Sequence, residues 1–235
     1  DGEFILSVHN SAGPDEIVVD NVTISVGTID PPTPQTIHDI QFTSAPDGAS
    51  PLAGTAVATG GIVTGAYGSG YWIQNGNGPW SGLFVFDGSI APAIGDSVTV
   101  TGNVTEYFGL TEVNGVTAAA IVSSGNPVPT TTDITTAAAN TEPYESVLVR
   151  VTNAGCTVLP DGNGQWKVND GSGEVFVDDL LFAYTPAVGV SYNVTGPLSY
   201  SFSEWKVEPR DANDIEIFNG VLELDATDVT VMPNP

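Results

Sequence analysis

Apolar and polar residues alternate along most of this chain, in short runs broken by glycine, asparagine and proline. Such alternation marks half-buried strands, because successive side chains on a strand point to opposite faces. Ser97-Val98-Thr99-Val100-Thr101 shows it most plainly. Read this way, a central block carries strands at Ala56 to Thr64, Tyr71 to Gln74, Gly82 to Phe86, Ser97 to Val104 and Leu110 to Ile121. Turns rich in Gly, Asn and Pro separate them. A hairpin is expected at the start, where Phe4-Ile5-Leu6-Ser7-Val8 turns through Asn10 to Asp15 into Ile17 to Val26. One more strand is expected at Val221 to Val231.

The pattern also repeats. Pro92-Ala93-Ile94-Gly95 returns 94 positions later as Pro186-Ala187-Val188-Gly189, and Val100-Thr101-Gly102 as Val194-Thr195-Gly196. Trp72, Phe108, Val113 and Ile121 fall on Trp166, Phe202, Val207 and Ile215 at the same shift. A constant shift across scattered positions means two copies of one folding unit. The expected organisation is a hairpin at 1–27, a Pro-rich linker at 28–35, a first domain at 36–125, a Pro/Thr linker at 126–132, a second domain at 133–219 and a final strand at 220–235. Terminal strands outside the repeats expose backbone donors and acceptors, so they must pair with the repeats, with further domains of a parent polypeptide or with another molecule.

Composition supports an all-β chain: 27 Gly, 17 Pro and an apolar fraction of 41% fit short strands and tight turns around a core. No run approaches the roughly 18 apolar residues of a membrane helix, so membrane insertion is not expected and any export signal is expected to have been removed or never included. Charge narrows the partners. With 28 Asp and Glu against 4 Lys and Arg, the formal net charge is −24, which disfavours nucleic acid, since nonspecific affinity for phosphate backbones comes from Lys and Arg. The single cysteine, Cys156, cannot form an internal disulfide.

Catalytic chemistry finds little support. His9 and His38 have no neighbouring nucleophile, no Gly-x-Ser-x-Gly or His-Glu-x-x-His pattern occurs, and one cysteine with two separated histidines cannot build a zinc cluster. The chain is read as not an enzyme. Calcium is the candidate cofactor, because Asp161, Asn163, Asp170, Asp178 and Asp179 place oxygen ligands on and near tight turns. The spacing is not that of an EF-hand, and local turn hydrogen bonding competes as their role. Among aromatics, Tyr71, Trp80, Tyr107 and Phe108 are the candidates for stacking a sugar or base, while Trp72 and Trp166 are expected in the cores. Packing under a loop competes as the role of Trp80. Asn21, Asn103 and Asn193 lie in Asn-Val-Thr sequons, and Asp96-Ser97-Val98 resembles a bacterial O-glycosylation motif with Ser97 as acceptor.

Family resemblances follow from particular stretches. Thr36-Ile37-His38-Asp39-Ile40-Gln41, Gly61-Ile62-Val63-Thr64 and Gly70-Tyr71-Trp72-Ile73-Gln74 resemble the OB-fold domains that precede the catalytic domains of secreted bacterial nucleases. Trp166-Lys167-Val168-Asn169-Asp170-Gly171 is similar to OB-like modules of bacterial surface proteins. No residue of this chain corresponds to the nuclease's metal-binding carboxylates or paired histidines. Val18 to Ile24 looks like the closing strand of a jelly roll, and Val229 to Pro235 is similar to the start of a type IX secretion sorting domain. The resemblances imply two tandem OB-like Greek-key β-barrels flanked by terminal strands, exported to a Bacteroidetes-type cell surface.

Together these readings lead to a noncatalytic extracellular structural or adhesive protein that assembles head to tail with copies of itself. Phe4, Leu6, Val221 and Leu224 would be the apolar anchors of donated strands. The alternative is an accessory OB module that binds polysaccharide or nucleic acid.

Overall fold

In a computed structural model that describes residues 32–218, the alternating runs of the first repeat form five strands. They are β1 (Ala56–Tyr67), β2 (Gly70–Gln74), β3 (Gly82–Phe86), β4 (Ser97–Tyr107) and β5 (Leu110–Ser123). They close in the order β1-β2-β3-β5-β4, with β4 returning to β1 and β3 lying parallel to β5. A closed five-stranded Greek key of this order is OB-like. In β4, Val98, Val100 and Val104 enter the core while Thr99 and Asn103 face outward. Period-two alternation therefore sets which face is buried. The hairpin anchors Phe4 and Leu6, the sequon residue Asn21, and Val221 and Leu224 lie outside the described residues.

A short helix, α1 (Ile37–Gln41), packs Ile37 and Ile40 into the first core. Thr36 caps it: its hydroxyl accepts from the Asp39 amide, and the Asp39 carboxylate accepts from the Thr36 amide. This is the reciprocal capping box that lets so short a helix form.

The second repeat rebuilds the barrel from β7 (Leu148–Val158), β8 (Trp166–Asn169), β9 (Glu174–Val177), β10 (Ser191–Ser201) and β11 (Glu204–Val207). The order is β7-β8-β9-β11-β10, β9 is parallel to β11, and β10 closes on β7. The fold is all-β, with two tandem OB-like barrels. A leading strand β6 (Thr132–Ile134) runs parallel to β7, and in the first barrel Pro34 makes the equivalent parallel bridge to Ala58. Where β5 is continuous, its counterpart is split into β11 and β12 (Ile215–Ile217). The interruption is tied by Arg210, whose guanidinium grips Asp214 through Nε at 2.6 Å and Nη2 at 2.8 Å.

The tryptophan equivalence needs correction. Trp166 and Val168 face the second core, but in the first barrel it is Tyr71 and Ile73 that face inward, and Trp72 points out. A one-residue slip in register flips every side chain to the other face, so the structural counterpart of Trp166 is Tyr71. Trp72 is nonetheless only 1% exposed, because it is covered in a separate cluster with Phe84 and Leu110, against Leu181 and Tyr200 of the second barrel.

The barrels meet along a seam with little spare room. A Cβ on Gly82 would collide with the Ser146 carbonyl oxygen, so that seam admits only glycine. Gly82→Ala is predicted to destabilise the protein by about 1–3 kcal/mol, the usual cost of overpacking. Gly162→Ala, which meets nothing within 4 Å, should be neutral. Equilibrium urea denaturation of the two variants checks this.

Candidate functional site

Between the barrels lies a cleft of about 840 Å³. That volume is within the roughly 300–1,000 Å³ typical of ligand sites. Trp72, Phe84 and Leu110 form one wall, and Tyr200 and Lys206 contribute from the second barrel. The mouth is flanked by two hairpin turns in equivalent positions, Phe108-Gly109 between β4 and β5 and Phe202-Ser203 between β10 and β11. All four residues have positive φ, at 52°, 93°, 54° and 64°. Two-residue turns of this kind favour Asn and Gly, so a phenylalanine in each is conformationally costly. Phe108 is 82% exposed and Phe202 90% exposed, so packing does not repay that cost. Gly109 is required for a second reason, since a Cβ there would come within 2.9 Å of the Tyr200 ring.

The four aromatic candidates separate. Tyr107 and Phe108 line the cleft and stack edge to face with ring centroids 4.9 Å apart. Tyr71 does not: its ring is in the first core, and its hydroxyl donates to Asp87 at 3.3 Å. Trp80 is not among the cleft residues either. Its amide donates to the Pro143 carbonyl at 2.7 Å and its ring meets Phe42 edge-on, so it packs at the seam. Phe202 and Tyr200 were missed as cleft residues by sequence reasoning, although the 94-residue shift places Phe202 on Phe108.

The polar side of the cleft includes Glu112, Asn163, Gln165, Asp178 and Asp179. Burial raises the Glu112 carboxyl above its usual range, against a hydrogen bond from Asn114 that lowers it. Lys206 is almost wholly buried with its ammonium 3.7 Å from Asp178. The four cations of the chain are all in ion pairs: Arg150 with Asp133, Lys167 with Glu174, Lys206 with Asp178 and Arg210 with Asp214.

The candidate calcium ligands do not converge as a set. Asp161 accepts from the amides of Asn163 and Gln165, which makes it a turn cap. Asp170 is elsewhere, accepting from the hydroxyls of Thr136 and Ser172. Asp178 faces Lys206, and Asp179 lies beside Gly164. Among the described residues no group of three His, Cys, Asp or Glu side chains is arranged to hold a metal. Of the glycan acceptors, Asn103 is exposed on β4 and Ser97 half-buried at its start. Asn193 is engaged, accepting from the Asn153 amide at 3.0 Å.

A second feature is the far half of β5. Its near half pairs with β3 on one side and β4 on the other, but within residues 116–123 the pairing, at Ala118 to Ile121 and at Ser123, is to β4 alone. Among the described residues no strand lies along their other side. Ile121 and Val122 are exposed there.

The seam itself is polar. The Leu148 amide donates to Gln74 Oε1 at 2.8 Å, and the Thr111 amide to Glu145 Oε1 at 3.0 Å. Gln74 of the first barrel thus meets backbone of the second, and Glu145 of the second meets backbone of the first.

No protein-family model and no curated protein matches the chain. Among solved structures it overlaps with a chain described under "Structural mimicry for functional antagonism", at 12% identity and a TM-score of 0.33, covering 72% of this chain and 94% of that one. It overlaps similarly with the Ifi202 HINa domain crystallised with 20bp dsDNA, at 13% identity, a TM-score of 0.33 and coverage of 70% and 98%. The tetrameric p202 HIN2 gives 10%, 0.31, 71% and 92%. The OB-like character of the barrels follows from their strand order.

Burial raises Glu145 well above the usual carboxylate range, with Glu142 nearby adding to it. It also brings Glu208 up to about 8, despite a hydrogen bond from Ser199. A carboxyl whose folded pKa exceeds its unfolded value of 4.5 binds its proton more tightly in the native state, so ionisation at rising pH works against folding. Stability is therefore predicted to fall as the pH is raised from about 4.5 to 8, and Glu145→Gln should flatten the slope. Urea midpoints measured across that window check the sign.

Proposed function

We propose that the protein is a noncatalytic structural subunit of an extracellular assembly, in which terminal segments of one copy add strands to a sheet edge of the next. The observation that supports this most is the open edge at residues 116–123. Its sequence, Val116-Thr117-Ala118-Ala119-Ala120-Ile121-Val122-Ser123, has neither charge nor proline. Its pairing to β4 is regular from Ala118 to Ile121. Edge strands are ordinarily protected by lysine, proline or a bulge, because unpaired N–H and C=O groups template further pairing. An uncharged, apolar stretch from Ala118 to Ile121, flanked at each end by a register shift against β4, is suited to receiving a short strand.

The donors are the strand-patterned segments containing Phe4 and Leu6 or Val221 and Leu224. Both barrels close through residues 56–207 alone, so neither needs these segments to complete its own ring. A copy that donates at one place and accepts at another makes a heterologous contact, which builds filaments where it does not close. The net charge of −24 would hold such filaments apart, and glycans on Asn103 or Ser97 would add to that separation. With all four cations paired to carboxylates, little remains to displace counterions from a phosphate backbone, which argues against nucleic acid as the partner. Location on a bacterial surface is supported by the likeness of Val229 to Pro235 to the start of a type IX sorting domain.

Sedimentation and negative-stain microscopy of the full chain over a concentration series test the reading. Filaments are expected, and Ala118→Lys with Ala120→Lys should raise the concentration for half-assembly at least about tenfold, equivalent to some 1.4 kcal/mol per contact. Leu6→Asp or Leu224→Asp should act likewise from the donor side, while Thr185→Lys, an added lysine on an exposed site of the second barrel, should not. Monomers at every concentration, with melting temperatures unchanged, would reject strand donation.

A further inference from the structure

We propose that the cleft between the barrels binds an uncharged polysaccharide chain, with sugar faces stacked on Phe108 and Phe202 and hydroxyls bonded to the polar wall at Asn163 and Asp179. This site is separate from the β5 edge and does not depend on assembly.

Two observations carry it. The first is the pair of displayed phenylalanines. Each repeat places a large apolar ring at a turn position with positive φ, leaves it more than four-fifths exposed, and aims it at the same cleft. Neither conformational preference nor burial accounts for that choice, and strained positions held in duplicate point to a role outside folding. A pyranose ring has an apolar C–H face, and covering it with an aromatic ring removes both from water.

The second is charge. Glu112, Asp178 and Asp179 face the cleft against Lys206, whose ammonium is already engaged by Asp178. Carboxylates accept hydrogen bonds from sugar hydroxyls but repel phosphate, sulfate or uronate groups. The combination selects a neutral ligand rich in hydroxyls over a polyanion.

Isothermal titration of the full chain, carrying Ala118→Lys and Ala120→Lys to keep it dispersed, tests the site. The probes are neutral hexasaccharides of glucan, mannan, xylan and galactan type, an oligoalginate of equal length, and an uncharged hexapeptide. At least one neutral hexasaccharide should bind with a dissociation constant below about 1 mM. Phe108→Ala and Phe202→Ala, both at exposed positions, should each weaken it about fivefold or more without lowering the melting temperature, and Tyr107→Ala should act in the same direction. Absence of binding by all four neutral probes, equal binding of the alginate, preference for the peptide, or indifference to both phenylalanine variants would overturn the assignment.

Discussion

The close approach of the two barrels at Gly82 and Ser146 is the constraint on which the other features depend. Glycine lets the backbones touch, and once they touch, Gln74 and Glu145 are the side chains that satisfy the amides left between them. A buried polar seam specifies one arrangement more sharply than an apolar one, because a shifted interface would leave donors unpaired. The cost is a carboxyl held far from its ordinary pKa. That geometry covers Trp72, opens the cleft beside it and leaves the far half of β5 facing outward.

Two surfaces thus stand out on a protein otherwise dominated by acid. One is an edge without charge, where side chains are small and backbone groups are on offer. The other is a cleft whose mouth displays phenylalanine in duplicate. Edge pairing draws on backbone hydrogen bonds and is indifferent to most side chains, whereas the cleft depends on ring faces and a polar wall. A structural fibre that also holds polysaccharide would be cohesive along its length and adhesive along its sides.

Much of the fold was legible from the chain. Alternation in Ser97 to Val104 and its echo at Ser191 to Leu198 locate the strands, and the duplication locates the barrels. What escaped depends on register or on distant partners. The 94-residue shift aligns Trp72 with Trp166, yet a slip of one residue in the second strand places them on opposite faces. Helix α1 is too short for periodicity to reveal, though the Thr36 and Asp39 capping pair was its available signal. Tyr71 reads as a displayed aromatic only while its face is unknown. For Trp80 the chain offers both a stacking role and packing under a loop, and nothing local shows that Pro143 meets its amide. The cleft could have been anticipated from Phe108 and Phe202 together, since two large apolar residues at equivalent hairpin tips are hard to explain by packing. The open edge of β5 was hidden, because alternation says where a strand is and not how many neighbours it has.

Amide hydrogen exchange along β5 tests the central claim most directly, comparing dispersed and concentrated protein. Strand donation predicts that residues 116–123 become protected by about tenfold or more in the assembled state, while the exposed turn at 161–163 exchanges at the same rate in both. Equal exchange of residues 116–123 in the two states, in material that is demonstrably assembled, would contradict it and place the contact elsewhere on the protein.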